Sequence, residues 1–205
     1  MPASGKPQRD LEFLFEMGSI RHIPRMWKRF LGADFANLAE HHFRTCWIAM
    51  LLASREGADS GKVAKLAMVH DIAESRSGDV DYLARQYVER NEELGITDML
   101  ADTSLATEFE SLWEEYQRRE SLEARIVKDA DNLDIDFELA EQAAKGNQLR
   151  KDFIYRKDIT NLLFTESAKT IHAQLMADVN PHDWHLNGRN RHNKGEWKGL
   201  GNLKK

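Results

Sequence analysis

The run Leu66-Ala-Met-Val-His70-Asp71-Ile-Ala-Glu74 sets three ionisable side chains into an apolar helical pattern. Val63, Leu66, Ala67, Val69 and Ile72 recur at helical spacing, which predicts one helix from Ser60 to Arg76, with Gly78 just past its end as a stop. His70 and Asp71 then sit about 100° apart around the axis, close enough for both side chains to converge beside the helix. Glu74 is i+4 from His70 and i+3 from Asp71, so it overhangs the same edge. One helix edge thus carries an imidazole and two carboxylates.

Upstream, Asn37-Leu-Ala-Glu40 has the form of a capping box, so a helix is expected from Leu38 to about Arg55. His41 shares a helical row there with Leu38, Thr45 and Ile48 and therefore points inward, where it needs a partner. A first helix is expected over Leu11 to Ile20, ending before Ile23-Pro24. Downstream, Asp81 to Leu94 and Ser104 to Arg119 read as charge-rich helices. Ser121 opens a longer one to about Lys145, and a last helix covers Asn161 to Ala177. Period-two alternation and Asn-Gly or Asp-Gly hairpin turns are absent, so the chain is expected to be an all-α helical bundle.

Its 205 residues suit one domain, expected over 1–180, with an irregular extension over 181–205 after Asn180-Pro181. The longest strongly apolar stretch, Trp47 to Ala53, is about a third of the ~20 residues a bilayer crossing requires. The N-terminus lacks the apolar core of a secretory signal, which makes a cytoplasmic address the expectation. Cys46 is the single cysteine, so any metal must be held by imidazole and carboxylate. A net charge of -5 gives no general reason to expect nucleic-acid binding. The extension runs the other way: Trp184 and Trp197 are interleaved with Arg189, Arg191 and Lys194. That mixture can stack bases and bind phosphates, but anchoring on the protein's own surface is the favoured expectation.

A divalent ion acting on a phosphate needs several His and carboxylate ligands with positions left open. His41, His70 and Asp71 supply three. The fourth comes from Asp129, Asp131, Asp134 and Asp136 on the long helix. Asp129 shares a row with Arg125, Asn132 and Asp136 that reads as solvated, whereas Asp131 lies beside the Ile126, Ala130, Leu133 and Phe137 stripe and is the better inward candidate. A lone helical His is more often a hydrogen-bonded core residue than a ligand, and a lone Glu74 a surface charge. The ordered combination carries the reading.

In that order, with Ala39-Glu40-His41, Leu66 to Glu74, Ser77-Gly78-Asp79 and Ile126-Val-Lys-Asp-Ala-Asp131-Asn-Leu133, the chain resembles the HD-domain phosphohydrolases and, within them, the 5'-deoxynucleotidase subgroup. The resemblance spans about Leu11 to Gln174. It implies one divalent metal (Mn, Co, Mg, Fe, Ni or Zn) on His41, His70, Asp71 and Asp131. It further implies Glu74 as the proton-handling glutamate, Asp79 as a sugar contact, a nucleotide substrate and, by analogy, a homodimer. The subgroup carries a phosphate-orienting Arg two residues before a Pro. Here His22 stands at that point, so Arg21 or Arg25 must supply the guanidinium. The rival expectations are a triphosphate hydrolase, marked by further Lys and Arg around the metal, and a non-catalytic nucleotide-binding module.

Overall fold

The computed structural model describes residues 6–32, 34–177 and 179–186. Helices run α1 (Lys6–Ser19), α2 (Lys28–Leu31), α3 (Leu38–Glu56), α4 (Ser60–Val69), α5 (Glu74–Ser77), α6 (Glu92–Leu100), α7 (Ala106–Arg118), α8 (Leu122–Ala144), α9 (Glu166–Met176) and α10 (Asp183–Leu186). Among the described residues the one β-type pairing is an isolated bridge between Pro24 and Asn37. The all-α expectation holds.

α3 lies against both α4 and α8, while α7 and α9 flank α8. Leu52, Leu66, Ile126 and Leu133 are wholly buried where they meet, and Met99 and Leu100 of α6 join the same core. Each such side chain contributes about 1.5–3 kcal/mol through water-excluded area. The capping box predicted at the start of α3 is complete: Glu40 N–H donates to Asn37 Oδ1 at 3.0 Å, and Asn37 N–H donates to Glu40 Oε2 at 2.9 Å. Gly57 closes α3 in the left-handed region.

The expected helix from Ser60 to Arg76 is not continuous. α4 stops at Val69 and α5 starts at Glu74. Between them the chain tightens to i→i−3 hydrogen bonds, Ile72 N–H to Val69 O, Glu74 N–H to Asp71 O and Ser75 N–H to Ile72 O. Residues three apart eclipse in such a turn, so Asp71 and Glu74 align on one side while His70 turns into the core.

Nor is Asp81 to Leu94 a helix. Asp81 accepts the N–H groups of Leu83 and Ala84 and supports a single 3₁₀ turn (Ala84–Gln86), and Asn91 caps α6 instead. The last helix also begins late, at Glu166, after 3₁₀ turns over Ile154–Leu162. Asp129 is the reason. Its carboxylate accepts the N–H of Phe164 at 2.8 Å, the N–H of Thr165 at 2.9 Å and the Thr165 hydroxyl at 2.7 Å, which holds that segment out of helical geometry. Asp129 and Asp136, read as solvated, are fully buried, Asp136 in a two-point pair with Arg156. A single exposed face cannot be read from the rows of α8 because α3, α4, α7 and α9 cover it on several sides.

Candidate metal centre and its cavity

Three helices deliver the side chains singled out in the sequence. His41 comes from the second turn of α3, His70 and Asp71 from the end of α4 and the tight turn after it, and Asp131 from the middle of α8. Their ligand-type atoms all lie within 4.8 Å of one another. His41 Nε2 is 3.2 Å from His70 Nε2, 3.5 Å from Asp71 Oδ2 and 3.5 Å from Asp131 Oδ1, and His70 Nε2 is 3.2 Å from Asp71 Oδ2. Metal–ligand bonds of ~2.0–2.2 Å give ligand–ligand edges of roughly 2.9–3.5 Å, so the spacing fits one cation.

The tautomers fit as well. His41 Nδ1 is 2.7 Å from Asp134 Oδ2, and His70 Nδ1 is 2.8 Å from the Ala67 carbonyl. Both partners only accept, so each Nδ1 carries a proton, which leaves the two Nε2 atoms for a shared cation. Two imidazole nitrogens facing each other at 3.2 Å need positive charge between them, either a proton on His41 Nε2 or a metal ion. Burial works against charge on His41, but hydrogen bonds to Asp134 and Asp71 outweigh it and lift the imidazole to about 9. Burial likewise opposes charge on Asp71, yet the neighbouring His70 and the His41 hydrogen bond hold its carboxyl well below the usual range. The two ligand carboxylates, Asp71 and Asp131, are thus both held ionised, as a cation site must hold them.

Glu74 is 3% exposed. Its Oε1 accepts from Arg90 Nη1 at 2.9 Å, while the buried Oε2 has no hydrogen-bond partner among the described residues and stands 4.0 Å from Arg25 Nη1. Burial, followed by the charges of Asp71 and Asp79, pushes this carboxyl up to about 9, with Arg25 and Arg90 pulling the other way. A cation that neutralises Asp71 relieves part of that rise.

Of the three cationic or imidazole candidates near Pro24, the structure brings only Arg25 to the cluster. The bridge to Asn37 holds residues 23–25 extended, with Leu38 N–H donating to Ile23 O and Arg25 N–H to Ala36 O. Side chains alternate along such a segment, and Arg25 turns inward. It is 9% exposed, 3.6 Å from Asp71 and 3.7 Å from Asp79. Arg21 and His22, placed with the substrate on sequence grounds, lie on the preceding 3₁₀ turn, exposed and bonded to each other, and Arg21 lines a separate surface groove. Asp79 is on the cavity wall, but its Oδ2 also accepts the Met26 N–H at 2.7 Å, so it fixes the turn that carries Arg25.

The cluster opens on a cavity of about 560 Å³. Sequence reasoning missed Arg90, Lys128 and Tyr116 on or beside its wall, as well as the role of Asp134. Lys128 Nζ pairs with Asp131 at 2.6 Å, one helical turn away, a spacing that could have been noticed. Arg90 lies on an irregular segment with no periodic signal. In the extension, Trp184 is exposed on α10, and Arg189, Arg191, Lys194 and Trp197 lie outside the described residues, as does most of the proposed 181–205 unit.

A helical bundle that brings two imidazole nitrogens and two carboxylates to one point beside a charged cavity defines a protein built to hold a cation against an anionic substrate. The HD-domain family profile matches residues 17–173. The chain therefore belongs to the HD-domain family and is a phosphohydrolase of that family, whose enzymes are metal-dependent. It is 31% identical over 148 residues to the 5'-deoxynucleotidase HDDC2 of Xenopus laevis, covering 69% of this chain and 71% of that one. Against the 5'-deoxynucleotidase HDDC2 of Danio rerio it is 30% identical over 154 residues, covering 70% and 76%. A conserved hypothetical protein from Pyrococcus furiosus shares the fold at a TM-score of 0.70 and 24% identity, covering 82% of this chain and 99% of that one. Among the described residues no helix is long and apolar enough to cross a membrane.

Proposed function

We propose that this chain hydrolyses deoxyribonucleoside 5'-monophosphates to nucleoside and phosphate, with the ribonucleotides as further substrates. The observation that carries this reading is the charge of the cavity. Its wall holds six cationic side chains (Arg25, Arg85, Arg90, Arg119, Lys128, Arg156) and six carboxylates (Asp71, Glu74, Asp79, Asp81, Glu92, Asp131). With all six carboxylates ionised, as a cation beside Asp71 favours for Glu74, these cancel, so one divalent cation leaves an excess that matches a phosphomonoester dianion. A triphosphate brings about two further negative charges that this cavity does not balance. The wall does carry Lys and Arg beyond Arg25, the mark expected of a triphosphate site, but four of the six cations are tied up: Arg90 with Glu74, Lys128 with Asp131, Arg156 with Asp136, and Arg25 among Asp71, Glu74 and Asp79. The relatives named 5'-deoxynucleotidase support the nucleotide part of the reading.

A divalent cation held by His41, His70, Asp71 and Asp131 would supply Lewis-acid charge at the phosphate and make water easier to deprotonate. Arg25 orients the phosphate through a guanidinium already locked by Asp71 and Asp79. Glu74 Oε2 takes the proton that water loses on attacking phosphorus. Arg90 holds Oε1, so the same carboxyl is positioned to give that proton to the departing 5' oxygen. Asp79 keeps Arg25 in register and lies where a sugar hydroxyl can donate to its carboxylate.

The same proposal includes a homodimer and a cytoplasmic setting. An exposed apolar row on α3, formed by Phe43, Trp47 and Leu51, supports the first.

The test is phosphate release by metal-stripped protein reconstituted with Mn or Co, against deoxy- and ribonucleoside mono- and triphosphates, with Asp71→Ala as the blank. Metal-dependent release from deoxymonophosphates, absent in the blank, is expected. Release confined to triphosphates would overturn the substrate assignment, and release from none would overturn the enzyme reading.

A further inference from the structure

Among the cavity cations, Arg119 stands apart. It follows α7 in the left-handed region, with φ of 55°, where glycine is the favoured residue. Its guanidinium carbon lies 4.7 Å from the centre of the Tyr116 ring, and Tyr116 in turn packs edge-on against His70. Among the described residues no carboxylate forms an ion pair with it, unlike Arg25, Arg90, Lys128 and Arg156; Arg85 also lacks one but donates to the Val80 carbonyl and lies on no aromatic ring. The chain thus keeps a strained non-glycine residue at a helix end and lays its planar cation on an aromatic ring at the wall of the substrate cavity.

We infer that Arg119, layered on Tyr116, is the platform on which the nucleobase of the substrate stacks, and so a specificity-determining residue. The inference rests on the nucleotide reading above and adds to it the residue that recognises the base. A guanidinium with one face on tyrosine offers its other face to a planar heterocycle and its N–H edge to ring acceptors. The phosphate end is already served by Arg25 and the metal-type cluster, and the cavity's charge balance leaves no second phosphate for Arg119 to hold. The amides of Gln117 and Asn132 line the same cavity and suit the polar edge of a base.

The experiment compares Arg119→Gly and Arg119→Lys with the unaltered chain on two substrates, deoxyadenosine 5'-monophosphate and 2-deoxyribose 5-phosphate, which lacks the base. Base stacking predicts a KM for the nucleotide raised about tenfold or more in both variants. It also predicts an unchanged KM for the sugar phosphate and a glycine variant that melts no lower than the parent. An equal rise on both substrates, no rise on either, or rescue by lysine would overturn it. Calorimetric binding of deoxyadenosine 5'-monophosphate reads the same residue without turnover. Weaker binding to the glycine variant of a chain that hydrolyses nothing would leave this inference standing and sink the hydrolysis reading alone.

Discussion

His41 donates from Nδ1 to Asp134 Oδ2 across 2.7 Å, and Asp134 is itself held by Arg44, whose Nε reaches Oδ1 while its other nitrogens bind Glu138 and Glu141. The imidazole is thereby fixed in the tautomer that frees Nε2. Asp134→Asn can present its amide nitrogen in place of the acceptor and lets the ring turn. Metal affinity is expected to fall by about 10–100-fold. Titration of stripped protein with Co, read by its visible absorption, checks this, and excess metal should restore most of the activity.

Glu74→Gln keeps the Arg90 contact through its carbonyl oxygen but cannot take a proton. Turnover should drop by about 10²–10⁴-fold with metal content unchanged. Single-turnover phosphate release together with metal analysis of the same sample tests the assignment, and full turnover would remove Glu74 from the chemistry.

Arg25 and Arg21 are four residues apart and are expected to behave oppositely. Arg25→Ala removes the guanidinium from among three carboxylates, and kcat/KM should fall by about 30-fold or more, given about 2–5 kcal/mol for breaking a buried charge pair. Arg21→Ala, which loses only an exposed contact with His22, should stay within about twofold. Comparable losses in both variants would contradict the placement of Arg25.

The Glu16 carboxylate joins α1 to α5 by accepting from Arg76 at 2.7 and 2.9 Å and from Ser75 at 3.1 Å. The Arg76 hydrogen bond lowers its pKa by more than partial burial raises it. A depressed folded-state value means the contribution is fully present above the unfolded value of ~4.3 and is lost as pH falls through the folded one. For a partly exposed pair it amounts to about 0.5–1 kcal/mol. Glu16→Gln should therefore melt about 2 °C lower at pH 7, and the two melting temperatures should approach each other as pH falls below ~4.3 and meet only below the lowered folded-state value, as followed by circular dichroism.

The amino-acid sequence alone determined what depends on neighbours in the chain. The Asn37–Glu40 box, the Ser121 cap and the apolar rows of α3, α4 and α8 are local, and they fixed the helices that aim His41, His70 and Asp131 inward. Hence the fold class and the four-residue cluster were legible. The break after Val69 was not, because the apolar pattern continues unchanged through it. Arg25 and Arg90 reach Glu74 from segments 49 and 16 residues away, along irregular backbone that carries no periodic signal. Asp129 looked solvated and proved to be the anchor of Phe164 and Thr165, a contact across 35 and 36 residues. Only the packed structure chose Arg25 over Arg21 and His22. Which of several nearby charges enters a cavity is set by how the turns close and by which carboxylates compensate its burial, and neither is written in sequence spacing.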